Sequence, residues 1–299
     1  MIWFTKPARK HGVPMKKSLR PVLDTNALIV APGVYDLVSA RIADSLDFPA
    51  LYMTGFGTVA SKLGLPDAGI ATYSDMVEQV ARICERTVTP LIADGDTGYG
   101  GTINVHHCVR GYERAGAAAI QLEDQEMPKK CGHTPGRRVV PIEEMVAKIR
   151  VASDARSSAD FLIVARTDAL TELGFDEALR RADAYGAAGA DIIFVESPES
   201  REQMRAIANR IDRPLVANMV EGGKTPLLTQ DELRELGFRI AIYPVTSLLQ
   251  AAGAVLQALT ALRNGGDPSQ LRPAMPFGEF NRLIGFDEVR AIEGRYTTG

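Results

Sequence analysis

Short apolar runs alternate with amphipathic stretches along most of this chain. Eight runs, at 28–32, 50–54, 90–93, 119–122, 161–165, 191–195, 214–217 and 239–243, are rich in Val, Ile and Leu. They do not alternate apolar with polar positions. A strand with water on one face would alternate; a strand buried on both faces, as in a parallel sheet, reads as a continuous apolar run. Helical patterns lie between them, at 36–45, 75–86, 105–115, 142–155, 176–188, 202–211, 230–236 and 248–263. Thr229 with Glu232 three residues on is a capping-box start. The pairs Ala115-Gly116 and Ala188-Gly189 read as helix ends.

Eight strand–helix units predict an α/β fold, a (β/α)8 TIM-type barrel. A doubly wound open sheet would show the same periodicity, because a repeat of runs does not reveal closure. No linker interrupts the repeat, so 1–299 is read as a single barrel domain. It has an N-terminal arm over about 1–20 and a C-terminal helical extension over about 264–299. Asn264-Gly265-Gly266-Asp267-Pro268 breaks the chain, and 280–292 is a further amphipathic stretch with no strand partner. This extra helix packs either back on its own barrel or, swapped, on a neighbouring subunit.

Composition narrows the partners. The chain is 45% hydrophobic and 24% charged with a net charge of -3, enough to bury a sizeable core. There is no basic excess to meet nucleic acid or an anionic membrane. No segment approaches the roughly 20 apolar residues of a membrane helix, and Met1-Ile2-Trp3-Phe4 leads into lysines and arginines rather than a signal peptide. Cys84, Cys108 and Cys131 make no disulfide pattern, so a reducing, cytoplasmic setting is expected.

The positions just after the apolar runs carry the candidate chemistry. They are Thr54-Gly55-Phe56, Asp94 with Asp96, Glu123 with Asp124, Arg166 with Asp168, Glu196, Asn218 with Glu221, and Pro244. Barrel enzymes build their sites at these strand ends. Carboxylates crowded on one mouth repel unless a cation or basic residues neutralise them, which points to a magnesium-type site. An arginine beside it suits a carboxylate or phosphate, since its fork binds either in bidentate fashion. Asp168 also reads as a helix cap or turn residue. Gly95, Gly98, Gly100 and Gly101 read as turn formers, and no Gly-rich nucleotide loop appears. In Lys129-Lys130-Cys131-Gly132-His133, positive neighbours favour the thiolate of Cys131. His106 and His107 open a predicted helix and read, with His11, as surface or packing residues; Cys84 and Cys108 read as buried thiols.

Together these motifs resemble the isocitrate lyase and phosphoenolpyruvate mutase superfamily. The likeness runs from about Pro32 to Leu262 and adds Leu65-Pro66-Asp67 to the stretches above. The cysteine motif resembles the lyase branch, within it the 2-methylisocitrate and 2,3-dimethylmalate lyases. Asn218-Met219-Val220-Glu221-Gly222-Gly223-Lys224-Thr225-Pro226 leans towards the latter. The resemblance implies Mg2+, with Mn2+ as a substitute, held by Asp94, and Asp67, Asp96 and Glu123 contributing through metal-bound waters. It implies that Thr54, Gly55 and Phe56 bind the 2-oxo-acid half of a small carboxylate, two of them through backbone N–H groups. Arg166 would bind its carboxylate or oxyanion, and Glu196 and Asn218 would line the pocket. Lys129 would support the metal site, Cys131 would act as acid and His133 would tune the thiol. The implied reaction is C2–C3 cleavage of a 2-hydroxy di- or tricarboxylate by a homo-oligomer, a dimer or tetramer. Other chemistries in the superfamily are oxaloacetate hydrolysis or decarboxylation and P–C bond cleavage; Cys131 argues against the last. A non-catalytic small-acid binding protein on the same fold would not need Cys131. Phe56 stands where methylisocitrate lyases usually have glycine, which favours an alkylated malate over a tricarboxylate.

Overall fold

Apolar side chains on both faces of each strand need cover on both faces, and a closed barrel inside a ring of helices supplies it. The computed structural model describes residues 18–25, 27–130, 132, 136–271 and 274–296. Its strands are β1 (Ile29–Val34), β2 (Leu51–Met53), β3 (Leu91–Asp94), β4 (Ala119–Glu123), β5 (Leu162–Thr167), β6 (Ile192–Val195), β7 (Val216–Asn218) and β8 (Ile240–Tyr243). All pair in parallel, and β1 pairs with both β2 and β8. The remaining seam, between β6 and β7, is crossed by a bridge between Ile193 and Leu215. The open-sheet alternative is thereby set aside: eight strands form a nearly closed TIM-type barrel.

The helices are α1 (Arg20–Leu23), α2 (Leu37–Ser45), α3 (Gly55–Leu63), α4 (Tyr73–Arg86), α5 (Thr102–Ala115), α6 (Ile142–Ala155), α7 (Leu170–Leu173), α8 (Phe175–Ala187), α9 (Arg201–Arg210), α10 (Gln230–Leu236), α11 (Thr246–Arg263), α12 (Phe277–Ile284) and α13 (Phe286–Tyr296). The expected capping box at Thr229 and Glu232 is formed, and Gly116 ends α5 in the left-handed conformation. Among the described residues, no helix is long and apolar enough to cross a membrane.

Two cores result. Ile29, Ala31, Ile92, Leu162, Ile192 and Ile240 fill the barrel interior, where Leu19 and Leu23 join them from beside and within α1. The side chain of Arg20 reaches the carbonyl of Ala159 and the carboxylate of Asp191, both ahead of strands. The part of the arm from Ser18 onward therefore plugs the end of the barrel opposite the C-terminal ends of the strands. The larger core lies between strands and helices.

Two parts differ from the sequence expectation. Residues 55–63 form a helix that is absent from the helical patterns read in the sequence. The stretch at 280–292 is two helices, α12 and α13, parted at Gly285 with φ +100°. α12 lies on α2 of its own chain, where Arg41 Nε donates to the Leu283 carbonyl at 2.8 Å. α11 buries none of its residues, and Leu249, Val255, Leu256, Leu259 and Leu262 stand exposed along it.

Candidate active site

Asp94 is the last residue of β3 and is buried at the C-terminal mouth. The turn after it brings Asp96 back with φ +49°, and the Asp96 N–H donates to Asp94 Oδ1 at 3.0 Å. The other oxygen, Oδ2, accepts the N–H of Gly55 at 3.2 Å. Gly55 opens α3, where Thr54 is the N-cap. The N–H of Gly55 is thus spent on Asp94 rather than held out to a substrate. Phe56, half-buried, lines the cavity from the first turn of α3.

Lys129 is buried at the centre of the acidic set. Its Nζ stands 2.6 Å from Asp67 Oδ1 and 2.6 Å from Asp96 Oδ1. Burial pushes the Asp96 carboxyl up to about 6, against the pull of Lys129 and with the push of Asp94 and Asp67. Burial works against the Lys129 ammonium, yet Asp96, Glu123, Asp94 and Asp67 hold it well above the usual lysine range. The crowding of carboxylates, read from sequence as a demand for a cation, is met in part by this ammonium and by Arg166.

Arg166 and Asp168 sit two apart at the end of β5 and project to the same side, as alternate residues on a strand do. Arg166 Nε and Nη2 grip Asp168 Oδ2 and Oδ1 at 2.9 and 2.8 Å. Its remaining reach is towards Glu123 at 3.5 Å and Glu196 at 3.4 Å, and its guanidinium lies 5.2 Å over the Phe194 ring. Burial drives the Glu123 carboxyl well up despite Arg166 and Lys129. Glu196 accepts from Asn218 Nδ2 at 3.1 Å and from Ser197 Oγ at 3.0 Å. Sequence reasoning thus brought Thr54, Phe56, Asp67, Asp94, Glu123, Lys129, Arg166, Glu196 and Asn218 to one cavity, with Gly55 and Asp96 directly beside it.

Cys131 and His133 lie outside the described residues. Their chain neighbours Lys130 and Gly132 line the cavity. Gln125 anchors this segment: its amide accepts the Lys130 N–H and donates to the Lys130 carbonyl, both at 2.9 Å. The Gly132 carbonyl accepts from Ser197 Oγ at 3.2 Å, and a Cβ on Gly132 would come within 2.4 Å of Arg166 Nη2. Lys130 and Gly132 are packed down on the mouth. Tyr52, Val220 and Pro244 complete the wall; Tyr52 lay hidden inside an apolar run, where sequence gives no sign that a phenol reaches a pocket.

Asp124, expected at the mouth beside Glu123, turns away from it. It is fully buried and accepts from Thr167 Oγ1, Tyr185 OH and Arg181 Nη1 at 2.8, 2.7 and 3.0 Å. Asp168 likewise holds Arg166 in place instead of capping a helix. His106 and His107 are exposed on α5, the latter against Tyr73, and Cys84 and Cys108 are buried, as expected.

The donor set suits a hard divalent cation. It is all carboxylate oxygen, and Glu123 Oε1 is buried without a hydrogen-bond partner. Among the described residues, no three His, Cys, Asp or Glu side chains stand close enough to grip an ion together. An ion held there would have to keep several of its waters, as Mg2+ does.

Comparison with known proteins gives the family. The family model described as phosphoenolpyruvate phosphomutase matches residues 19–263. The 2,3-dimethylmalate lyase of Eubacterium barkeri is 50% identical over 282 residues, 94% of this chain and 98% of that protein. The 2-methylisocitrate lyase of Aeropyrum pernix is 44% identical, covering 95% of this chain and 91% of its own. Among solved structures, oxaloacetate acetylhydrolase bound to 3,3-difluorooxalacetate superposes with a TM-score of 0.88 at 41% identity, over 93% of this chain and 95% of that one. Phosphonopyruvate hydrolase in complex with oxalate and Mg2+ gives 0.83 at 34% identity, over 93% and 98%.

Proposed function

Because the chain belongs to the phosphoenolpyruvate mutase and isocitrate lyase superfamily, we propose that its cavity cleaves the C2–C3 bond of a 2-hydroxy di- or tricarboxylate of the 2,3-dimethylmalate or 2-methylisocitrate type. The products are a 2-oxo acid such as pyruvate and a second carboxylate. The enzyme is a carbon–carbon lyase, as its relatives are named. One observation carries the reading: a buried arginine and an acidic set centred on Asp94 face the same cavity at the barrel mouth.

Asp94 would hold Mg2+, or Mn2+ in its place, with Asp67, Asp96 and Glu123 reaching it through water. When bound, the ion supplies Lewis-acid stabilisation for a substrate oxygen that becomes negative. The chain's own residues do the rest. Lys129, fixed between Asp67 and Asp96, keeps the carboxylates from forcing one another apart. Arg166, gripped by Asp168, offers its outer N–H groups to a substrate carboxylate or oxyanion. Thr54, Gly55 and Phe56 border the 2-oxo-acid half, with Gly55 acting through Asp94. Glu196 and Asn218, joined at 3.1 Å, present a fixed polar wall to the other half.

As the C2–C3 bond breaks, its electron pair stays on C3 and the hydroxyl proton leaves for a base. The C3 fragment needs a proton in return. Cys131 is the assigned donor, with His133 tuning the thiol, and this assignment rests on the sequence motif and on the place of Lys130 and Gly132 at the cavity. The apolar residues exposed along α11, and Phe286, Val289 and Ile292 exposed on α13, support a homodimer or homotetramer. A cytoplasmic setting rests on the three cysteines forming no disulfide pattern in the sequence.

The oxaloacetate acetylhydrolase likeness favours one second reading, hydrolysis of oxaloacetate. A steady-state screen separates the two. Release of 2-oxo acid from 2,3-dimethylmalate or 2-methylisocitrate supports the lyase; release of oxalate from oxaloacetate supports the hydrolase. Turnover of none would overturn both.

A further inference from the structure

Arg137 is a buried cation that does not line the cavity. Its Nη1 donates to Asp168 Oδ1 at 2.5 Å, the oxygen that Arg166 Nη2 holds at 2.8 Å from the other side. Its Nη2 donates to Thr171 Oγ1 on α7 at 2.7 Å. The chain around Arg137 is tied to the barrel rim: Val140 N–H donates to the Asp124 carbonyl at 2.8 Å, and Gln125 bridges Val139. Asp168 is in turn anchored by its own N–H on Asp124 Oδ1 at 2.8 Å. Asp168 therefore stands between two guanidinium groups, and only one of them faces the cavity.

The charges decide what this arrangement does. Asp67, Asp94, Asp96, Glu123 and Glu196 crowd the mouth against the buried cations Lys129 and Arg166. Lys129 is taken up by Asp67 and Asp96, so the positive charge that Arg166 shows to the cavity matters to an anionic substrate. Alone with Arg166, Asp168 would cancel that charge at contact distance. With Arg137 on its far side, Asp168 is shared, and the trio keeps one net positive charge. In a buried setting, such charges interact strongly because little water screens them.

We propose that Arg137 is a positioning residue for substrate binding: it engages Asp168 from behind, so that Asp168 draws less on Arg166, which meets the substrate carboxylate oriented and with more of its charge. The proposal rests on the reading of Arg166 as the carboxylate-binding group. It adds a residue from the basic stretch after Cys131 that never touches the substrate.

The test is calorimetric binding of oxalate to the full-length protein with Mg2+ present, alongside KM and kcat for the best substrate of the screen. Arg137→Met should weaken oxalate binding by about tenfold or more and raise KM more than it lowers kcat. Arg137→Lys keeps the charge and should recover most of that loss. Thr171→Ala removes only the second anchor and should bind within about threefold of wild type. Arg137→Met/Asp168→Asn restores the net charge of the trio and should bind oxalate more tightly than Arg137→Met alone. This double variant leaves no unpaired buried carboxylate, so it still decides the matter if the single variant fails to fold: wild-type-like binding supports the charge argument, and a full tenfold loss overturns it. Equal losses in Arg137→Met and Arg137→Lys would reduce Arg137 to a packing role. Arg166→Met separates the two levels. If it weakens oxalate while Arg137→Met does not, only the present proposal falls; if it leaves oxalate binding unchanged, the assignment of Arg166 falls with it.

Discussion

Gly55 and Asp94 are fitted to one another at the barrel mouth: the Gly55 N–H donates to Asp94 Oδ2 at 3.2 Å, and a Cβ on Gly55 would lie 2.6 Å from that same oxygen. No real Cβ tolerates such a contact. Gly55→Ala should push the carboxylate out of line without touching the core. We expect activity to fall by two orders of magnitude or more, since small misplacements at a reacting centre cost about a hundredfold. Circular dichroism should stay native. Wild-type turnover by the alanine variant would show that Asp94 does not need its observed place.

Lys129→Met tests the acidic centre from within. It leaves Asp67 and Asp96 buried as like charges with no ammonium between them. Removing one partner of a buried ion pair typically costs about 3–5 kcal/mol, and a loss of that order is expected in denaturant unfolding. Added Mg2+ should return part of it, because a ligand held only by the folded state stabilises that state. Unchanged stability would mean the carboxylates are paired elsewhere; a loss that Mg2+ does not touch would argue against an ion at this site.

Much of this was legible beforehand, for a physical reason. Strands buried on both faces leave continuous apolar runs, and the polar residue that ends each run must lie at the mouth, so Asp94, Glu123, Arg166, Glu196 and Asn218 could be placed without coordinates. α3 was hidden. Its start, Gly55-Phe56-Gly57, has poor helix propensity, and the glycines are there because Asp94 crowds one and Tyr35 and Thr54 crowd the other. Tertiary fit overrode the local preference. Asp124 and Asp168 looked like site carboxylates because a sequence cannot show which way the residue after a strand turns. Their partners Arg181, Tyr185 and Arg137 are 57, 61 and 31 residues away in the chain.

Cys131→Ser should lower kcat by orders of magnitude with little change in Mg2+ affinity. A hydroxyl has nearly the size of a thiol but is a far weaker acid. The readout is the rate of 2-oxo acid release, with metal titration as the control. Near-normal turnover in the serine variant would remove Cys131 as proton donor and move attention to other groups at the cavity.

Phe56 sets the last expectation, which concerns specificity. It lines the cavity from the first turn of α3, and the apolar side chains of Val220, Ile242, Pro244 and Val245 also line it. A phenyl ring there takes the volume of several methylenes and offers nothing to a third carboxylate. A dicarboxylate carrying methyl groups fills such a wall, whereas 2-methylisocitrate must bring another charged group near it. Pocket contacts of this size discriminate by about 1–3 kcal/mol. The comparison is kcat/KM for 2,3-dimethylmalate and for 2-methylisocitrate, in wild type and in Phe56→Gly. The ratio should move towards the tricarboxylate by about tenfold or more in the variant, chiefly through a lower KM for the larger substrate. Glycine also loosens the first turn of α3, so both substrates should lose some kcat together through Asp94; the ratio is insensitive to that shared loss. A ratio that stays put would show that the ring does not select the substrate, and the preference for an alkylmalate would then have to come from the loop that follows Asn218.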